Sequence, residues 1–355
     1  MGSLDEALDA VDRVRLASLP TPLQEVPRLA NHLGLGKLLV KRDDLTGLAM
    51  GGTKARKLEY DFARVLALGS DVVVTVGGAQ SNHAAMTAAA ARRLGLDVRL
   101  VLGGPRVASR RGNLLLDSLF GAEVRYLLDD DDNDSLAAAM EEWVGELRRE
   151  GRRPYALPIG GSTPEGALGY VRAMRELAAQ VGTSFQVVTA VGSCGTFAGS
   201  NLGARLFAPE ARVVGISVSR SARQVEARTA ELIEESAALL GIAPPPCAGP
   251  LECHDRFHEG YGVPTESGAE AIRTCARLEG LLLDPYYTGK SMAGLFALAR
   301  AGLLDAGVPV VFLHTGGLPI LFAADGAVDE TVPFETVPRR PAPPGGDPGR
   351  QGRPA

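Results

Sequence analysis

Five short runs dominated by Val, Leu and Ile, at residues 72–76 (VVVTV), 98–102 (VRLVL), 187–191 (VVTAV), 213–218 (VVGISV) and 308–313 (VPVVFL), punctuate the chain. Such near-continuous apolar runs fit strands buried on both faces, as in parallel sheets. Between them lie Ala-, Leu-, Arg- and Glu-rich stretches with helical spacing, at 83–94, 136–149, 166–179, 220–240 and 290–301. Strand alternating with helix predicts an α/β fold of mostly parallel, twisted sheets flanked by helices. A chain of 355 residues has room for about two domains. The elements gather around 70–130 and 185–320, which predicts two α/β units with a cleft between them.

Composition narrows the function. Lys plus Arg number 37 against 42 Asp plus Glu, a net charge of −5 without a basic block, which argues against nucleic acid as the main partner. No apolar run reaches 18 residues and the N-terminus has no cationic leader, so a cytoplasmic protein with no membrane partner is expected. Cys194, Cys247, Cys253 and Cys275 are scattered without a CxxC pair, so no disulfide framework or zinc site is expected. His254 and His258 lie near Cys253 without a second ligand pair and read as surface or packed residues, and His83 as a packing residue. Trp143 continues the helical stripe Leu136, Met140, Leu147 and reads as a core anchor. The acidic run 129–132 before Asn133 reads as a solvated turn and helix cap.

Candidate chemistry sits in polar, glycine-flanked clusters. Gly51 and Gly52 precede Lys54 at the start of an apparent helix. This is no ATP-binding P-loop, because Thr53 separates glycine from lysine; 289–291 (GKS) fails too, with Asp284 where the first glycine should stand. Three further clusters each follow a predicted strand, where open α/β sheets place their ligands. They are 77–83 (GGAQSNH), 192–196 (GSCGT) and 314–317 (HTGG). Small residues with free N–H groups at a helix start suit a phosphate.

Taken together, these segments resemble the pyridoxal-phosphate enzymes of the tryptophan-synthase-β fold (fold type II), and within them the D-cysteine desulfhydrase and 1-aminocyclopropane-1-carboxylate deaminase branch. The likeness runs from about residue 15 to 323 through LPTPL, KRDDLTG, GGTKARKLEY, GGAQSNH, YALPIGGSTPEGALGY, GSCGT, EGYGVPT, DPYYTGKSMAGL and HTGGLP. It implies pyridoxal 5'-phosphate as cofactor, Lys54 as its Schiff-base residue and Asn82 on its phenolic oxygen. Ser193, Cys194, Gly195 and Thr196 would hold the phosphate, and Thr315 would face the pyridine nitrogen. Ser81, Tyr261 and Tyr287 would act in catalysis, with Gln80, Ser81 and Thr288 binding substrate. It also implies a homodimer. Residues 1–52 with 163–330 would form a larger cofactor-holding domain, 53–162 a smaller one, and the Pro/Gly-rich stretch 331–355 a disordered tail.

Departures from the family pattern shape the expected reaction. Thr53 replaces an Asn and Ala85 an Arg; Thr288 stands where the deaminases resemble YEGK with a glutamate, and Thr315 where they carry an apolar residue. A neutral hydroxyl opposite the pyridine nitrogen makes the ring a weaker electron sink, which favours expulsion of a β-leaving group. The expectation is β-elimination, D-cysteine to pyruvate, ammonia and hydrogen sulfide. The alternatives are 1-aminocyclopropane-1-carboxylate deamination, L-cysteate cleavage or another specialised lyase, and a catalytically inactive binding subunit of the same fold.

Overall fold

A computed structural model describes residues 2–105, 110–129, 132–246, 249–324 and 326–328. In chain order the first elements are α1 (Gly2–Ala10), β1 (Leu23–Glu25), α2 (Pro27–Leu33), β2 (Leu38–Lys41), α3 (Lys54–Ala67) and β3 (Val72–Gly78). There follow α4 (Asn82–Arg93), β4 (Asp97–Gly104), α5 (Asn113–Leu119), β5 (Glu123–Leu128), α6 (Asn133–Arg149) and β6 (Pro154–Leu157). The remainder is α7 (Pro164–Val181), β7 (Gln186–Val191), α8 (Gly195–Phe207), β8 (Arg212–Ser217), α9 (Ala222–Leu239), β9 (Glu252–His254), α10 (Glu266–Glu279), α11 (Thr288–Arg300), β10 (Val310–Leu313) and α12 (Leu318–Leu321). The expected run 331–355 and Cys247 lie outside the described residues.

Two sheets result. One has the order β1-β2-β10-β7-β8-β9, parallel except for the edge strand β1; the other is all parallel, in the order β5-β4-β3-β6. The five apolar runs of the sequence all became strands. β3 and β7 are buried along their whole length, as both-face coverage requires. β1, β2, β5, β6 and β9 lie outside those five runs; β5 is half exposed at its sheet edge and β1 and β9 are three residues long. Trp143 is buried with Leu136, Met140 and Leu147 on the inner face of α6, under the guanidinium of Arg125 at 4.2 Å. Asp132 caps α6, accepting from the N–H groups of Asp134 and Ser135.

Helix packing sets the register of the site. α7 lies between α3 and α8, and the approach is close because it is made through glycines. A Cβ at Gly169 would meet Arg56 O at 2.4 Å, and one at Gly199 would meet Ala167 O at 2.1 Å. The start of α3, with Lys54, is thereby held opposite the start of α8, with the 192–196 loop.

Candidate active site

The loops after β3, β7, β8 and β10 open onto one cavity of about 450 Å³, the position expected at the carboxyl ends of parallel strands. Lys54, Ser81, Asn82, Ser193, Cys194, Thr196, Tyr261, Tyr287 and Thr315 line it together. Gly195 lies directly behind, its N–H donating to Ser162 Oγ at 3.1 Å.

Lys54 is presented by a tightly folded loop. Gly51 has φ +76°, and a Cβ there would lie 1.8 Å from Asp44 O, so only glycine fits. Gly52 N–H donates to Asp43 O and to Thr46 Oγ1, and Gly52 pairs with Gly316 across an isolated bridge. Thr53 N–H donates to Thr315 O at 3.1 Å, which ties the lysine loop to the 314–317 cluster. The Lys54 amine has one long contact, 3.4 Å to Thr53 Oγ1, and burial pushes its pKa down to about 8.

On the opposite wall Ser81 caps α4 by accepting from Ala84 N–H at 3.2 Å, leaving its own hydroxyl proton to donate. Asn113 Nδ2 donates to Asn82 Oδ1 at 2.7 Å, so the Asn82 amide turns its NH2 toward the cavity as a donor. Gln80 is not a lining residue: its Oε1 accepts from Asn113 N–H and its Nε2 donates to Arg111 O, so it supports Asn82 through Asn113 instead of facing a ligand. His83 is buried. Thr75 Oγ1 gives its proton to Leu157 O at 2.8 Å, so His83 Nε2–H is the donor to Thr75 Oγ1 at 2.8 Å, and burial keeps the ring neutral with its pKa well below the usual value.

The 192–196 loop is a backbone anion cradle. Cys194 takes φ +73° just before α8, turning successive N–H groups to one side, while its thiol packs in the core against Phe197. Burial raises that thiol, consistent with an inert packed role. Ser162 Oγ donates to Ser193 Oγ at 2.8 Å. Beneath the loop, Lys57 donates to Gly160 O, and a Cβ on Gly195 would stand 3.3 Å from Lys57 Nζ. The cradle and the helix start, with the Lys57 amine behind them, fit a phosphate, and the reactive Lys54 amine fits an aldehyde.

The tyrosines are linked: Tyr287 Oη donates to Tyr261 Oη at 3.0 Å, and a Cβ on Gly78 would strike the Tyr261 ring at 2.7 Å. Burial and the Tyr261 hydroxyl hold the Tyr287 phenol well above its usual pKa, so it keeps its proton. Lys290, fully buried, donates to Gly260 O at 2.9 Å and Val218 O at 3.3 Å, clamping the Tyr261 loop. Thr288 corrects an expectation. It does not line the cavity; its Oγ1 accepts from Asp284 N–H at 2.7 Å and donates to Asp284 Oδ2 at 2.6 Å. Asp284 also accepts from the N–H groups of Tyr286, Tyr287 and Thr288, so Thr288 helps to start α11 and aim Tyr287.

Lys57, Asp61, Asn113 and Arg220 carry no signal in the local sequence. The first two sit in KARKLEYD, which reads as an ordinary charged helix face until α7 covers it. His254 bonds Glu252 and His258 bonds Arg220 O.

A sequence profile described as "Pyridoxal-phosphate dependent enzyme" matches residues 14–316. A putative 1-aminocyclopropane-1-carboxylate deaminase of Pyrococcus horikoshii is 45% identical over 307 residues, 86% of this chain and 92% of that protein. A D-cysteine desulfhydrase of Yersinia enterocolitica is 42% identical over 335 residues, covering 90% and 98% of the two chains. Among solved structures, one described as an ACC deaminase homologue aligns with a TM-score of 0.86 at 42% identity over 92% of this chain and 98% of its own. Threonine deaminase isoform 2 of Solanum lycopersicum shares the fold, with a TM-score of 0.64 at 16% identity over 89% of this chain and 85% of its own.

Proposed function

Because the chain belongs to the pyridoxal-phosphate-dependent enzymes, in the group that includes D-cysteine desulfhydrase and 1-aminocyclopropane-1-carboxylate deaminase, its cofactor is pyridoxal 5'-phosphate, and we propose that it catalyses β-elimination from a small β-substituted amino acid. D-Cysteine, giving pyruvate, ammonia and hydrogen sulfide, is the leading substrate. The observation that carries the reading is the placement of a proton acceptor and a proton donor in one cavity: the Lys54 amine, depressed to about 8, and the hydrogen-bonded Tyr261–Tyr287 pair.

Bound pyridoxal phosphate supplies the electron sink for charge developing at Cα. The cradle at Ser193, Cys194, Gly195 and Thr196, with Lys57 behind it, would hold the phosphate, and Asn82 would donate to the phenolic oxygen. Thr315, on the cavity wall, would offer a neutral hydroxyl to the pyridine nitrogen. The Lys54 amine takes the Cα proton, which requires it neutral. Ser81 donates to the substrate carboxylate near the start of α4. A phenol of the tyrosine pair gives its proton to the departing sulfur. With Thr288 turned onto Asp284, the choice between elimination and ring opening rests on Thr315.

The test is a product assay on the purified protein with D-cysteine, L-cysteine, L-cysteate and 1-aminocyclopropane-1-carboxylate. Pyruvate with sulfide from D-cysteine is expected, with little 2-oxobutyrate from the cyclopropane. Faster release of 2-oxobutyrate would establish the deaminase reading, and no turnover with bound cofactor the inactive binding subunit. The reading includes a homodimer, supported by the exposed large side chains Met50 and Phe322 on the segments joined by the Gly52–Gly316 bridge. Light scattering at micromolar concentration checks it against the 37.1 kDa monomer.

A further inference from the structure

Beyond β8 the chain makes a tight turn that presents one arginine. Arg220 N–H donates to Ser217 Oγ at 3.0 Å, and Ser217 Oγ donates to Arg220 O at 2.6 Å. His258 Nε2 also reaches Arg220 O at 3.3 Å. From the other side, Ser221 and Gln224 form a capping box that starts α9. The backbone of Arg220 is thus fixed from both sides.

Its side chain is not. The guanidinium is half-buried at the cavity wall and has no carboxylate or hydrogen-bond partner among the described residues. Other half-buried arginines of the described chain are paired: Arg212 with Glu252, Arg172 with Asp9, Arg42 with Asp44. A partly desolvated cation without a counter-charge is unfavourable until an anion arrives. Among the described residues the cavity lining contains no Asp or Glu.

Which anion this is follows from position. The 192–196 cradle has its own donors in the start of α8, with Lys57 beneath it. The backbone turn that carries Arg220 is bound to the tyrosine side, while its guanidinium also acts on Cys194 at the edge of the cradle. Lys290 donates both to Val218 O and to Gly260 O, so the loop leading into Arg220 and the loop leading into Tyr261 share one buried ammonium, and the His258 bond makes the same connection. Tyr261 and Tyr287 are the groups placed to protonate a leaving atom.

We propose that Arg220 receives the negative end of the substrate's β-substituent, so that the pocket favours α-amino acids whose side chain carries a negative charge or departs with one. The inference rests on the β-elimination reading and specifies its substrate class. In the step concerned, the Cα proton passes to the Lys54 amine and the electron pair of the Cα–H bond forms the Cα–Cβ double bond. The Cβ–X bond breaks with its pair on X, and X, held by the guanidinium, takes a proton from the tyrosine pair.

Calorimetric titration of the holoenzyme with aspartate and asparagine, in both enantiomers, tests this without turnover, since the two differ in side-chain charge and hardly in shape. Aspartate is expected to bind about ten- to a hundredfold tighter, the range of a charge-assisted hydrogen bond. Arg220→Gln should erase that preference while leaving asparagine binding and the visible absorbance of bound cofactor intact, and Arg220→Lys should keep part of it. Equal affinities in the parent protein, or a preference that survives Arg220→Gln, would overturn the proposal. So would loss of cofactor from Arg220→Gln, which would put the guanidinium on the phosphate. Failure of the elimination reading shows separately, in the product assay, and leaves this binding difference measurable.

Discussion

Two buried charge clusters grow from the same helix, α3, and differ in how they are paired. Arg56 points away from the cavity. It donates through Nε to Asp43 Oδ2 at 2.8 Å, through Nη2 to Asp43 Oδ1 at 3.0 Å, and to both oxygens of Glu176 at 2.9 Å. Thr21 and Tyr170 donate further bonds to Asp43, and Lys41 donates to Glu176, Gln180 and Thr21 O. Despite burial, the guanidinium beside Asp43 holds its carboxyl below the usual range. The next residue, Lys57, has Gly160 O as its acceptor, and Asp61, one turn beyond it, has one oxygen bonded by Thr163 while Oδ2 is buried without a hydrogen-bond partner. Burial, with the charge of Lys54 beside it, pushes Lys57 far down, and burial pushes Asp61 up to about 7. Both clusters are deeply buried, so burial alone does not mark function. The cluster whose charges are mutually satisfied holds α3, α7 and the 43–53 loop together; the one left under-paired lies behind Gly160 of the cavity wall, where burial holds the Lys57 amine toward its neutral form.

The sharpest way to break the comparison is at Lys54. Lys54→Ala should abolish the visible absorbance of bound cofactor and lower turnover by at least about 10²–10⁴-fold, the contribution of a positioned acid–base group. Its unfolding free energy should change by less than about 1 kcal/mol, since it makes one long contact. Borohydride reduction and peptide mapping locate the adduct; finding it on Lys57 or Lys290 would remove Lys54 from its role. At Arg56 the balance should reverse. Arg56→Met leaves Asp43 buried without its cation, at a cost of about 3–5 kcal/mol in urea unfolding, while the folded fraction keeps its cofactor.

How much of this was legible beforehand depends on whether a residue's role is local. The buried strands and the Gly-rich loops after them are short-range patterns, so the fold and the loops that carry Lys54, Ser81, Asn82 and Thr315 could be read from the chain, whereas Tyr261 and Tyr287 are visible only through the likeness to the family. The pairing of charges is not short-range. Arg56 finds Glu176 120 residues away and Tyr170 finds Asp43 at a separation of 127, and nothing in KARKLEYD distinguishes the paired arginine from the under-paired lysine next to it. Arg220 escaped notice for the same reason, because its lack of a partner is a property of the folded turn.

Titration separates the clusters next. Asp61 has a folded pKa raised from 3.8 to about 7, so its stabilising contribution is fully present below 3.8 and is lost as the pH rises through about 7. Asp43 and Glu176, lowered in the fold, contribute in the opposite sense, their stability being lost on acidification. Asp61→Asn should therefore gain stability relative to the parent as the pH is raised from 4 to 8, read as the difference in urea midpoints. Parallel curves for the two proteins would mean that Asp61 ionises normally and the clusters are alike.

The smallest expected effect concerns Thr288, where the likeness to the deaminases suggested a substrate contact and the fold gives a helix-start contact. Thr288 Oγ1 both accepts from and donates to Asp284, which is fully buried and whose pKa burial raises even though four hydrogen bonds favour its charge. Removing the hydroxyl in Thr288→Val leaves a buried carboxylate oxygen and an N–H each short of a partner, worth about 1–3 kcal/mol, and Thr288→Ser should restore most of it. The kinetic signature distinguishes the two roles. A residue that touches substrate would raise KM for D-cysteine when its hydroxyl is lost. A residue that aims Tyr287 through Asp284 would lower kcat with KM nearly unchanged, because the binding wall at Ser81 and Asn82 stays in place while the proton donor is misplaced. The second pattern is expected here; a rise in KM at constant kcat, with no loss of stability, would return Thr288 to the substrate side.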